Sequence, residues 1–204
     1  MSASLSPPSA AHRPMTEAEF FAWLARQERR HELVDGRPRA MVGATLRHNR
    51  IIGNLSAALR SRPRGGACQP YTMDVAVRIP NRNIRYPDAV VDCGPYADNA
   101  RAAAEPMLVA EVLSPSTMDF DQTEKLEEYR SVPGLRHILM IDTDQPRLRL
   151  HSRGEDGHWA SEPFAGLAAL VAIPALGIEL PLVELYEGLT FQPLPRLVTP
   201  GAPE

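Results

Sequence analysis

Residues 107–113 read MLVAEVL, a nearly unbroken apolar run with a single acid inside it. A run of this kind is a strand covered on both faces, so it demands structure on either side of a sheet. Residues 121–132 then carry a helical pattern, Gly134 ends it, and residues 136–141 form a second apolar strand. Met107 to Ile141 therefore predicts a strand, crossover helix, strand unit, and with it an α/β sandwich. With 204 residues, 44% of them apolar and 23% charged, the chain is long enough for one buried core and is neither collagen-like, coiled-coil nor wholly disordered.

The flanks fill in the rest of the expectation. Thr16-Glu17-Ala18-Glu19 is a capping box, and Phe20, Phe21, Trp23 and Leu24 give a helix that ends near Arg30. Asp35-Gly36 between short β-compatible runs predicts a hairpin, and Ile51, Ile52, Leu55 and Leu59 predict a helix over Leu46 to Arg60. Thr72 to Ile79 alternates as a strand, residues 80–83 turn, and Ile84 to Asp92 is extended, broken by Pro87. Shorter strands are expected around Leu148, Trp159 and Ile178, then a short helix at Leu182 to Tyr186. Residues 1–14 and 192–204, rich in Pro, Ser and Ala, are expected to be mobile tails around one domain spanning residues 15–191. Residues 1–14 contain no apolar run that could serve as a signal-peptide core, so secretion is not expected, and the longest uncharged stretch, Pro163 to Ile178, is too short for a membrane span and contains Pro174. Cys68 and Cys93 lack metal-ligand spacing and are expected to be buried thiols in a reducing compartment, which points to a cytoplasmic protein without structural zinc.

Net charge is −3, which argues against a protein that coats nucleic acid by bulk electrostatics. Yet Arg26 to Arg64 holds ten arginines against three acids, a local +7 that leaves −10 for the remainder. Either this is a salt-bridged helix surface or it faces phosphate, with Arg47 and Arg50 as the candidate nucleic-acid contacts. Of the 22 basic residues only Lys125 is a lysine, so it is either a survivor of compositional bias or a place where arginine will not serve.

Glu111 is costly at the centre of a buried strand unless it is paired, protonated or bound to a cation. Asp88 follows Pro87 in a second apolar strand. Two carboxylates on neighbouring strands would share one divalent cation, with oxygen ligands suiting Mg²⁺ or Mn²⁺; alternatively Asp88 caps a turn and Glu111 pairs with an arginine. Lys125, in the first turns of the crossover helix, would position water or offset phosphoryl charge, or else is a surface residue. Tyr129, at i+4, is expected to pack the lysine stem. Asp74 is expected to accept a backbone hydrogen bond, and Ser114-Pro115-Ser116 is expected to be a strand-to-loop turn, since no nucleophile elbow accompanies it.

RYPDAVV, LVAEVLSPST and DQTEKLEEYR, followed by a hydrophobic strand ending in Asp142, resemble the Uma-two family of "putative restriction endonucleases" within the PD-(D/E)XK nuclease superfamily. HELVDGR and the helix beginning near RHNRIIGNL are also similar, so the resemblance runs from about Thr16 to Leu189. It implies an α/β, restriction-endonuclease-like mixed central sheet flanked by helices. It further implies a Mg²⁺- or Mn²⁺-dependent endonuclease in which Asp88 and Glu111 hold the metal and Lys125 completes the catalytic set. The superfamily's usual lysine position is Leu113 here, and the resemblance moves that role to Lys125. Glu32 and His48 match the family's upstream acid and histidine and are carried over as accessory residues. The implied partner is nucleic acid, with DNA favoured over RNA, and a homodimer would let two sites address two strands. The rival readings are a catalytically weak or inactive nuclease-fold protein that binds nucleic acid, and an interaction domain that never meets it.

Overall fold

The computed structural model describes residues 13–62, 68–113 and 121–192. Helix α1 (Glu17–Leu24) opens with the expected capping box, in which Thr16 and Glu19 satisfy each other's backbone donors. The helix stops six residues before Arg30 because residues 25–30 offer it no apolar face beyond Ala25, and the edge of Trp23 meets the His31 ring instead. Strands β1 (His31–Val34) and β2 (Arg37–Ala40) form the hairpin, with Asp35 at φ 50° and Gly36 at φ 70° as a two-residue turn. Helix α2 (Leu46–Ser61) follows, capped by Thr45, whose hydroxyl accepts the His48 N–H.

The run expected as one strand over Thr72 to Ile79 is split into β3 (Gln69–Thr72) and β4 (Val77–Arg78). Met73 and Asp74 have positive φ and turn the chain out of one sheet toward another. Ile84 to Asp92 divides likewise into β5 (Ile84–Arg85) and β6 (Ala89–Asp92), because Pro87 has no N–H to continue a ladder. Strand β7 (Pro106–Leu113), helix α3 (Asp121–Ser131) and strand β8 (His137–Asp142) make the predicted crossover unit, with β7 and β8 parallel from Leu108↔His137 to Leu113↔Asp142. Then come β9 (Arg147–Arg153), β10 (Trp159–Ala165), β11 (Leu170–Ile173), β12 (Ile178–Pro181) and the single turn α4 (Leu182–Leu185).

The central sheet has the order β10-β9-β8-β7-β6-β3, a smaller sheet the order β2-β1-β5-β4, and β11-β12 is a separate hairpin. Alternation along the central strands divides two cores. Leu108, Ala110, Val112, Leu139 and Ile141 pack against Ile51, Leu55 and Leu59 of α2 and against the β11-β12 hairpin. Val109, Ile138 and Met140 pack on the other face against Tyr129 and Val132 from the α3 segment. Phe20, Leu33, Ile84 and Tyr86 form a third cluster under α1. The architecture is the expected mixed sheet flanked by helices.

Cys68 and Cys93 are joined in a disulfide, which corrects the expectation of two buried thiols. The antiparallel register pairs Gln69 with Asp92, so the next positions along both strands face each other; a separation of 25 residues gave no sign of this in the sequence. Among the described residues, no helix is long and apolar enough to cross a membrane. Most of both tail segments, and Ser114-Pro115-Ser116, lie outside the described residues.

Candidate active site

Asp88 stands where the chain leaves the small sheet for the central one, immediately before β6. Ala89 pairs with Ala110, and one step further the antiparallel register sets Asp88 across from Glu111. The Val112 N–H donates to Asp88 Oδ2 at 2.7 Å, tying the two strands at the carboxylate itself. His48, in the first turn of α2, brings Nε2 to 3.3 Å from the same oxygen. Burial opposes the charged imidazole, but the hydrogen bond and charge of Asp88 outweigh it and raise the His48 pKa. Among the described residues, His48 Nδ1 is a buried nitrogen with no hydrogen-bond partner.

Glu111 is on the face of β7 that α3 covers. Lys125 and Tyr129, one helical turn apart on α3, both reach it: the Tyr129 hydroxyl donates to Oε1 at 2.6 Å, and Lys125 Nζ is 3.5 Å from the same atom. Tyr129 is thus a partner of the carboxylate, beyond its expected packing of the lysine stem. Burial, with help from the Asp88 charge, pushes the Glu111 carboxyl up to about 7, while Lys125 and Tyr129 pull the other way. Burial and the Glu111 charge raise Tyr129 well above its ordinary range, so it stays a donor.

Glu32 is no surface acid: it is 4% exposed on β1, receives the Tyr86 N–H at 3.2 Å, and lies 3.2 Å from Lys125 Nζ. Beneath it Arg85, wholly buried, joins three carboxylates, Glu32 at 2.9 Å, Glu124 at 3.1 Å and Glu128 at 2.5 Å. Burial opposes the charge on Glu128, yet hydrogen bonds from Arg85, Asn81 and Asn83 win and lower its pKa. Arg85 therefore fastens α3 to the small sheet at the height that puts Lys125 between Glu32 and Glu111. Sequence reasoning missed Arg85, although the argument applied to Glu111 was available: an arginine between Ile84 and Tyr86 in an otherwise buried run requires a partner.

Asp88, Glu111, Lys125, Glu32 and His48 thus meet at one place. The two nucleic-acid candidates do not join them. Arg47 donates to the carbonyls of Thr143 at 2.5 Å and Thr190 at 3.1 Å and covers the Phe191 ring, so part of its donor fork is engaged within the protein. Arg50 is exposed, with its guanidinium beside Gly188. Asp74 pairs with Arg30 at 3.0 Å, rather than capping a strand entry.

Among the described residues, no three His, Cys, Asp or Glu side chains form a group that would hold a metal by themselves. The donor set that fits a metal is the cross-strand carboxylate pair. Two carboxylates suit a hard cation of the Mg²⁺ or Mn²⁺ kind, which keeps much of its shell as water, and do not suit a closed structural zinc site.

Fold and site together define an α/β protein of the nuclease-like class. The chain belongs to the Uma2 family, described as "Putative restriction endonuclease", whose family model matches residues 17–183. The uncharacterized Synechocystis protein slr1290 is 30% identical over 186 residues, covering 90% of this chain and 97% of its own. A second uncharacterized Synechocystis protein, sll1609, is 29% identical over 156 residues, 74% of this chain and 88% of that one. A crystal structure described as a putative nuclease belonging to DUF820, from Anabaena variabilis, superposes with a TM-score of 0.67 over 84% of this chain and 97% of that chain, at 20% identity, a likeness of fold.

Proposed function

We propose that this protein is a divalent-metal-dependent endonuclease that hydrolyses phosphodiester bonds in nucleic acid, DNA in preference to RNA. The observation that carries the reading is the Asp88–Glu111 carboxylate pair with Lys125 Nζ 3.5 Å from Glu111. Asp88 and Glu111 would hold Mg²⁺ or Mn²⁺, whose chemistry in such a site is to acidify water and to neutralise charge on phosphate. The Val112 N–H and His48 fix the Asp88 carboxylate, and the Tyr129 hydroxyl fixes Glu111. Lys125, held between Glu32 and Glu111, keeps an ammonium where it orients the attacking water and stabilises charge on the phosphoryl group.

The test is cleavage of duplex DNA, single-stranded DNA and RNA in Mg²⁺, Mn²⁺ or EDTA, with Asp88→Ala alongside. The expected result is duplex cleavage that needs metal and is abolished in the variant. Binding without cleavage in either metal overturns the enzyme reading in favour of an inactive nuclease-fold binder.

A further inference from the structure

The basic N-terminal third has no obvious route to the site through Arg47, so the register of the small sheet becomes informative. Strand β2 is an edge strand, and its Arg39 pairs with Glu32 while Arg37 pairs with Val34. Directly opposed residues in an antiparallel pair project to the same face, so both arginines share the face on which Glu32 meets Lys125 and Arg85. Both are exposed, whereas Glu32 is buried one strand further in. The line Arg39, Glu32, Lys125, Glu111 therefore crosses β2, β1, α3 and β7 from solvent to the candidate active site, each step a registered pair or a contact of 3.5 Å or less. The two arginines lie about 6.8 Å apart along the strand, two residues at ~3.4 Å.

The charge around the site explains what they would do. Glu32, Glu111, Asp88, Glu124 and Glu128 cluster about Lys125, Arg85 and His48. With His48 protonated these groups carry a net charge of −2, which one divalent cation would only just offset, so the site itself has no surplus positive charge to hold a phosphodiester chain. Cations at the rim would supply it. We propose that Arg37 and Arg39 form the phosphate-binding rim of this site, gripping the backbone of the nucleic-acid substrate beside the scissile bond. The proposal rests on the nuclease reading above and adds to it the surface by which substrate is held. Arginine suits the task because its planar fork donates two parallel hydrogen bonds to a phosphate. The competing account is that Arg37, Pro38 and Arg39 only guard an exposed sheet edge against pairing with another chain.

A short fluorescein-labelled phosphorothioate duplex, which resists hydrolysis, separates these accounts. Its affinity would be measured from about 50 to about 200 mM salt, once with Mg²⁺ and once with EDTA, for wild type, Arg37→Gln/Arg39→Gln and Arg26→Gln/Arg60→Gln. The last pair removes the same charge from exposed positions of the same basic segment. Two lost phosphate contacts make the salt slope shallower by about 1.8, so the wild-type advantage over the β2 variant shrinks roughly tenfold across that range. The control pair should keep a slope near wild type, and all three proteins should share one melting temperature. Equal slope losses in both pairs, or a β2 variant that aggregates while its slope is unchanged, overturn the rim. Displacement of the duplex by polyglutamate at equal charge concentration also overturns it, in favour of an acidic polypeptide partner. A wild type that binds no duplex in either buffer overturns the nucleic-acid reading itself, and the rim with it, whereas normal binding by the β2 variant overturns the rim alone.

Discussion

Replacing Arg85 by Met removes one buried cation from three carboxylates while roughly conserving side-chain volume. Glu32 and Glu128 have side chains only 6% and 8% exposed, so neither regains full hydration when its partner is lost. Breaking a buried ion pair from one side costs about 3–5 kcal/mol. Here Glu32 keeps the Tyr86 N–H and Lys125, and Glu128 keeps Asn81 and Asn83, so the lower end, about 3 kcal/mol, is expected. For a domain of this size that corresponds to a fall in melting temperature of roughly 6–12 °C. The sign of the pH dependence separates charge from packing. In wild type Arg85 is the chief group that lowers the Glu128 pKa, so stability contributed by Arg85 is lost as pH falls through the carboxyl range, and the variant gains relative to wild type there. Urea denaturation at pH 7 and pH 5 should therefore show a loss that shrinks at the lower pH. A loss below about 1 kcal/mol, or one of equal size at both pH values, would refute the view that Arg85 acts by holding charge.

Lys125→Arg should fold normally and lose on the order of 10²-fold in single-turnover cleavage, because the wider guanidinium cannot occupy the ammonium's place; wild-type speed would reduce the lone lysine to composition. Tyr129→Phe should cost about 1–3 kcal/mol of stability by taking a donor from buried Glu111, and should also slow cleavage by more than unfolding explains, which denaturation and single-turnover kinetics together reveal. His137 and His151 are both held down to about 4, chiefly by burial. Each is neutral in the fold but protonates near 6.5 when unfolded, so stability should fall as pH drops from about 6.5 to about 4, by ~2–3 kcal/mol per residue. Denaturation of His137→Gln and His151→Gln at pH 7 and pH 5 checks the loss, and an unchanged pH slope in both would contradict it.

The crossover unit was legible because MLVAEVL and its partner strand at 136–141 admit few other arrangements, and it carries Glu111 and Lys125, the acid and the lysine that the family resemblance singles out. The small sheet was not legible as a separate layer: Met73, Asp74 and Pro87 break two runs whose hydrophobicity continues straight through, and periodicity says nothing about which sheet a segment joins. Glu111 drew notice because an acid in an apolar run is conspicuous. Arg85 and Tyr129 obey the same logic less visibly, since an arginine next to a tyrosine before Pro-Asp reads as a strand end, and a tyrosine on a polar helix reads as packing. The charge count over Arg26 to Arg64 drew attention to Arg47 and Arg50, but such a count carries no direction. The β1-β2 register puts Arg37 and Arg39 on the Glu32 face of the small sheet.

The central claim is that Asp88 and Glu111 share one divalent cation. Calorimetric titration of Mn²⁺ into wild type, Asp88→Asn and Glu111→Gln tests it without requiring any substrate. One Mn²⁺ per chain is predicted for wild type, with each variant binding at least about tenfold more weakly, a loss of about 1.4 kcal/mol. Because Glu111 is raised to about 7, the cation must displace a proton at lower pH, so wild-type affinity should weaken below neutrality. Equal Mn²⁺ affinity in wild type and Asp88→Asn would contradict the shared site.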